Sequence, residues 1–352
     1  MKVFVPQEVS LNVFSAYAAW SGATTYTLYE KCSNGGRDYE SKSAGNLNHA
    51  PAVGGNAYWH DLGVSNYTSI AETGSAYNAG TTYAEGQTCT YGHKDYISLA
   101  AGNIGHAPNF NPEFWQDEGY VNRFKMFDNG VSTQTVGFDE IALQIPTDYQ
   151  SNVNTVVLLN VDAYSVTLKV DAVGEAPFAT RENVYDETRS LVMPTVTDWY
   201  EYFFDPLTFR KNVVFGNLPV YPRTRITLIL EKSGGLPVIG KMAFGAALRL
   251  GADEWGARAG ISDYSSKTKD AWGNYTITER VYSDLLSTTL VVDNAMVDVV
   301  KQRLAAIRAT PSIFIGDGDF DVMAAFGFPQ HFDILLQSPA GSICSLEIEG
   351  LI

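Results

Sequence analysis

Residues Tyr39–Pro51 read YESKSAGNLNHAP, and residues Tyr96–Pro108 read YISLAAGNIGHAP. A shift of 57 residues brings the two into register and extends the match to Ala19–Pro51 over Ala76–Pro108. About fifteen of the thirty-three positions are identical, among them Thr24/Thr81, Tyr26/Tyr83, Cys32/Cys89, Gly35/Gly92, Asp38/Asp95, Tyr39/Tyr96 and Ser41/Ser98. With a one-residue change in spacing, Tyr58-Trp59-His60-Asp61-Leu62-Gly63 then matches Phe114-Trp115-Gln116-Asp117-Glu118-Gly119. This is an internal duplication of a unit about 50 residues long. Each copy predicts strand, turn, strand, loop, strand. Cys32 and Cys89 take inward strand positions, Gly35 and Gly92 take the hairpin turn where a residue without Cβ is needed, and His-Ala-Pro closes the loop. So small a unit buries little apolar area and depends on its aromatics.

The totals narrow the function. The chain has 352 residues, a formal charge of −15, 45% hydrophobic and 18% charged residues, with 20 Tyr, 18 Phe and 31 Gly. That length suggests two or three domains, and the mix of aromatics and Gly favours short strands and turns over long helices. The acidic balance argues against nucleic acid and against charge-driven docking on anionic lipid. No apolar run reaches membrane-spanning length. Three cysteines do not make a disulfide framework, and MKVFVPQEVSLNVFSAYAAW lacks the apolar core of a secretory signal. The expectation is therefore synthesis in a reducing cytoplasm, with any exit by a route other than secretion.

The order of aromatic, Gly, Thr-Tyr, Tyr and Asn-x-x-x-x-Pro…Trp in the repeats resembles the small chitin-binding modules of carbohydrate-binding families 5 and 12. Copy 2, GTTYAEGQTCTYGHKDYISLAAGNIGHAPNFNPEFW, matches better than copy 1, which has Tyr29 where copy 2 has Gly86. The following Asn122-Arg123-Phe124-Lys125-Met126-Phe127-Asp128 is similar to a junction found in structural proteins of tailed bacteriophages, where such modules precede a large β domain. The C-terminal FGFPQHFDILLQSPAGSICSLEIEGL fits the same group.

The resemblance implies a virion protein of a tail or baseplate, made in the host and released by lysis. It would assemble as a homo-oligomer, a trimer or higher, with other tail proteins, and present its modules to host-surface polysaccharide. In such modules sugar rings stack on aromatics while amides bind hydroxyls. The residues expected to do so are Trp20, Tyr77, Trp59 and Trp115, with Asn46 and Asn103 for hydroxyls; Trp59 and Trp115 can equally be the module cores. Ser43-Ala44 and Ala100-Ala101 stand where the family often carries exposed aromatics, so chitin itself is not implied. Two weak sites on one chain gain from avidity. Alternatives are adaptor modules that grip a neighbouring tail protein, and a polysaccharide-degrading enzyme with accessory modules.

The predicted organisation is all-β: an N-terminal arm or strand over 1–15, module 1 over 16–66, a linker over 67–75, module 2 over 76–123, and a β-sandwich-like assembly domain over 124–352. The last is one unit or two subdomains meeting near 236. Val166, Leu168 and Val170 alternate with Thr167 and Lys169, and Ile226, Leu228 and Leu230 repeat the pattern. One helix is expected, capped at Asn294, striped by Val297, Val300, Leu304 and Ile307 and stopped at Thr310-Pro311. No catalytic motif, cofactor or metal is expected. His49 and His106 read as loop hydrogen-bonders, Asp317–Asp321 as an acidic turn without the Gly and Glu of a calcium loop. The aromatic run Trp199–Phe204 reads as core or interface, with a sugar platform as the lesser option.

Overall fold

In the computed structural model the chain is all-β, with two short α-helices among the described residues. The structure describes residues 1–9, 17–64, 68–70, 74–147, 152–173, 181–193, 198–204, 208–270, 272–317, 320–339 and 341–351.

Each repeat forms the same small fold. In module 1 the antiparallel strands Lys31–Asn34, Arg37–Ser41 and Trp59–Val64 make a three-stranded sheet; in module 2 Thr88–Tyr91, Lys94–Ser98 and Trp115–Tyr120 do so. The first hairpin of each turns on two residues with positive φ, Gly35 (59°) with Gly36 (76°) and Gly92 (58°) with His93 (60°). Such mirror-image turns match the right-handed twist of the flanking strands, which is why Gly is needed there. A bulge at Asp38/Tyr39 recurs at Asp95/Tyr96. The N-terminal segments join by parallel bridges, Ala19 to Ser33 and Ala76 to Thr90.

The body begins where module 2 ends. Asn122–Phe127, the junction, is a 3₁₀ helix that drives Phe124 and Met126 into the first core. Asn122 clamps it: its amide donates to Val136 O at 2.7 Å and its Oδ1 accepts from Val136 N at 3.0 Å. Linker residues are likewise tied down, because Ser69 pairs with Ala142 and Ile70 enters the same core.

That core lies between two four-stranded sheets. One contains Glu140–Pro146, Thr224–Glu231, Ser165–Ala172 and Arg181–Ser190, in that spatial order; the other contains Thr135–Val136, Val238–Gly245, Thr155–Asp162 and Val213–Phe215. Val166, Leu168, Val170, Ile226, Leu228 and Leu230 all point into it, as their alternation requires. The second sheet is covered on both faces. Val156 and Leu158 face the sandwich, while Val157 and Leu159 pack with Phe4, Ile313, Ile315 and Phe326 of an eight-stranded C-terminal sheet. Thr155–Asp162 escaped the sequence reading because a strand buried on both sides is apolar throughout and does not alternate. Val238–Gly245 returns across the sandwich after the Ser233–Gly235 turn, and the chain joins the C-terminal sheet at Leu248–Arg249.

The C-terminal sheet includes Lys2–Phe4, which pairs between Leu248–Arg249 and Ser312–Ile315, so the N-terminal strand belongs to the last domain. Its other face is covered by helix Val297–Ala306, with Val300 and Leu304 fully buried. The helix is entered through a 3₁₀ turn capped by Asp293, whose side chain accepts from Ala295 N at 2.9 Å. Asn294, expected as the cap, instead accepts a hydrogen bond from Ser342.

Cys32, Cys89 and Cys344 are buried free thiols, each pushed up to about 11 by burial first and neighbouring carboxylates second. A native thiol with a pKa raised above its unfolded value stays protonated where the unfolded chain ionises, so folding stability falls as pH rises from about 9 to 11. The expected outcome is no native reaction with a thiol reagent at pH 8, three thiols titrated after denaturation, and a falling denaturation midpoint across that alkaline window.

Candidate functional site

The modules hold the six residues expected to read a sugar, and the structure gives most of them another task. Trp59 and Trp115 are buried at 0% and 3% exposure, edge-on to Tyr26 and Tyr83 with centroids 4.9 and 5.0 Å apart. With Cys32, Tyr39, Cys89 and Tyr96 they are the entire miniature cores. A ring with no open face cannot stack on a pyranose, so these two indoles are corrected from platform to core.

Asn46 and Asn103 are buried too, at 1% and 2%. Each amide donates to the Ser41 or Ser98 hydroxyl at 3.1 Å and to the carbonyl of Tyr58 or Phe114 at 3.3 Å. Each Oδ1 faces the Nδ1 of His49 or His106, at 3.1 and 3.0 Å. Because the amide nitrogen is committed as donor, the oxygen accepts and the histidine carries its proton on Nδ1. The indoles close the loop by donating to His49 O at 2.5 Å and His106 O at 2.8 Å. Ser, Asn, His and Trp therefore form one staple in each copy, and the amides have no donor left for a hydroxyl of a ligand.

Trp20 and Tyr77 are half-buried lids. Trp20 packs on the module 1 core with Nε1 buried and without a partner. Tyr77 stacks on Tyr83 at 5.8 Å and lies edge-on to Tyr91 and Trp115, its hydroxyl also unpartnered, and burial pushes that hydroxyl's pKa up. They sit at matching places, as expected, each packed in part on the core of its module.

What the repeat does present is a stacked pair on its surface. The His49 ring lies on Tyr58 at 3.4 Å and 8°, and the His106 ring on Phe114 at 3.8 Å and 4°. Tyr58 is itself exposed, and Leu47, Ile104 and Phe110 are other exposed apolar residues of the modules. Tyr58 and Phe114 occupy matching places in the repeat, each directly before the core Trp, and that place is the signal the sequence offers.

Tyr29 is 66% exposed and held at φ 67°, where Gly86 of copy 2 has φ 79°. A side chain in that left-handed region is strained.

The larger exposed aromatics lie on the body: Trp255 at 94%, Trp272 at 90% and, on the short helix Trp199–Phe204, Trp199 at 78%. Tyr200, Phe203 and Phe204 of that helix are exposed as well, so the core half of its expected role is set aside. A cleft of about 510 Å³ separates the sandwich from the C-terminal sheet, lined in part by Asn160, Lys211, Asn212, Tyr282 and Asp284. Asp284 is the one carboxylate of its wall among the described residues, and burial raises its pKa. Lys241, between the same layers, is pushed down to about 8 by burial and donates to Asp128 O. No group of three or more potential metal ligands occurs among the described residues, and Asp317 instead accepts from Asp253 N at 3.2 Å. Asp319 lies outside the described residues.

No protein family, no curated protein and no solved structure matches the chain.

Two outcomes are expected. Asn103→Ala removes the buried amide that donates to Ser98 Oγ and Phe114 O and meets His106 Nδ1, and costs module 2 about 2 kcal/mol, seen as faster amide exchange at Cys89 and Tyr96. Tyr29→Gly relieves the left-handed strain and stabilises module 1 by about 1 kcal/mol, seen as slower exchange at Cys32 and Tyr39.

Proposed function

We propose that the chain is a non-enzymatic structural protein of a bacteriophage tail or baseplate, assembling through its β body and holding two rigid modules out as adaptors toward a neighbouring tail protein. The observation that carries this reading is the distribution of the six tryptophans. In the modules Trp59 and Trp115 are sealed and Trp20 is half-buried, whereas Trp199, Trp255 and Trp272 on the body are almost bare. Indoles left in water on a folded chain mark surfaces that other proteins cover.

The resemblance of the repeats and of the Asn122–Asp128 junction to phage structural proteins supports the virion setting. Clamping of that junction into the sandwich supports rigid presentation, since Phe124 and Met126 are core residues and not linker. The polysaccharide-degrading reading needs two carboxylates facing one sugar bond, and the cleft offers only Asp284 among its described walls.

A glycan-reading role survives as a second reading on one specific feature, the duplicated His–aromatic stack. It moves the site from Trp20, Tyr77, Trp59 and Trp115 to Tyr58 with His49 and Phe114 with His106.

Mass spectrometry of particles purified from a lysate of the producing cells tests the virion assignment: the chain is expected in stoichiometric amount with tail proteins, and its absence refutes the assignment. Pull-down of the full chain on chitin, capsule or lipopolysaccharide is expected to give no retention. Retention abolished by joint Tyr58→Ala and Phe114→Ala substitution would overturn the adaptor reading in favour of the glycan one.

A further inference from the structure

Residues 255–282 leave the C-terminal sheet as a ribbon. Arg258–Asp263 pairs with the start of Tyr282–Val292, and beyond it Ser266–Lys269 and Tyr275–Thr278 form a separate two-stranded hairpin. Every side chain of the hairpin strands is exposed except Ser266, which is half-buried. A lone two-stranded hairpin in water is marginally stable at best.

The pairing register gives it two unlike faces. Lys267 lies opposite Ile277 and Lys269 opposite Tyr275, so these four share one face; Ser266, Thr268, Thr276 and Thr278 share the other. The first face is apolar and cationic, with Lys269 Nζ 5.5 Å from the Tyr275 ring centroid. At the tip Asp270 accepts from the backbone of Trp272 and of Asn274, both at 2.8 Å, fixing a turn that leaves Trp272 outside. Asp270, Trp272, Gly273 and Asn274 are all exposed.

The charge of the ribbon runs against that of the molecule. Residues 255–282 hold four Lys and Arg against three Asp and Glu, while the whole chain holds 24 against 39. One other exposed aromatic surface has the opposite character. The helix Trp199–Phe204 reads WYEYFF between Asp198 and Asp205, and residues 194–208 contain three carboxylates and no Lys or Arg. Met193 and Thr208, which flank the helix in sequence, and Val281 and Tyr282, at the end of the ribbon, line one cleft. Within one chain neither covers the other, since Trp199, Phe203, Phe204, Trp272 and Tyr275 all stand 67–90% exposed.

We infer that the ribbon of one chain lays its Lys267, Lys269, Tyr275 and Ile277 face, with the Trp272 tip, on the acidic aromatic helix Trp199–Phe204 of a second copy. Donor and acceptor are different elements, so the contact is head-to-tail, and repetition of it closes a ring or grows a filament. Aromatic stacking and apolar burial supply the attraction, and the cation–carboxylate match fixes which surfaces meet. The inference deepens the assembly reading above by naming the elements through which copies join.

The test uses the full chain at tens of micromolar, with mass measured by light scattering behind gel filtration. The wild type is expected to run as an oligomer, and K267E with K269E to run as a single chain with an unchanged circular dichroism spectrum. D198K with E201K is expected to do the same. Mixing the two variants is expected to restore the wild-type mass, because each then supplies the charge that the other lacks. A monomeric wild type overturns the inference together with self-assembly. An oligomer that persists in both double variants overturns the ribbon contact alone and leaves assembly through another surface standing. If a variant misfolds, Trp272→Ala, at a fully exposed tip, gives the same reading: unchanged mass counts against the contact.

Discussion

The structure depends on one sheet being apolar on both sides. Thr155–Asp162 and Val238–Gly245 are buried along almost their whole length, with odd and even side chains serving different cores. A one-residue slip would exchange the two sets, but both faces would still be apolar. Register is instead held by local irregularity: Asn160 sits at φ 53° with its amide donating to Val131 O at 2.9 Å, and Gly240 opposite lacks the Cβ that would meet that carbonyl. From this sheet the sandwich extends on one side and the eight-stranded sheet on the other. The two halves of the body are consequently one stack of layers.

That stacking explains how distant segments cooperate. The first strand, Lys2–Phe4, is placed in the C-terminal sheet because Phe4 is needed in the core that joins the layers. The modules are inserted between this strand and the sandwich, and both of their exits are pinned, at Ser69–Ile70 and at Asn122–Phe127. Arg37 adds a bridge from module 1 to Glu182 of the sandwich at 2.8 Å. Two small folds with four-residue cores are thereby carried by a much larger one, which suits rigid presentation better than flexible capture.

The modules and the ribbon solve the same shortage of core differently. A module turns its aromatics inward and knots them with buried hydrogen bonds, from Asn46 or Asn103 to Ser, His and the chain. The ribbon has no interior, keeps its aromatics outside and relies on Asp270 to shape its tip. Reading function from aromatic content alone cannot separate these cases, because an indole that makes a core and one that makes a contact are the same residue in a sequence.

The sequence by itself determined the duplication, the all-β class, the hairpin turns at Gly35 and Gly92, and the inward faces of Val166–Val170 and Ile226–Leu230. Each follows from local steric or periodic rules that act within a few residues. It missed Thr155–Asp162, offered Asn46 and Asn103 as hydroxyl readers, and left Trp59 and Trp115 open between sugar platform and module core. Only tertiary structure decided those, since burial depends on what is laid across a strand or ring, and that cover comes from residues far along the chain. The same holds for the charged face of the ribbon: Lys267 and Lys269 join Tyr275 and Ile277 only through cross-strand register, which no stretch of sequence states on its own.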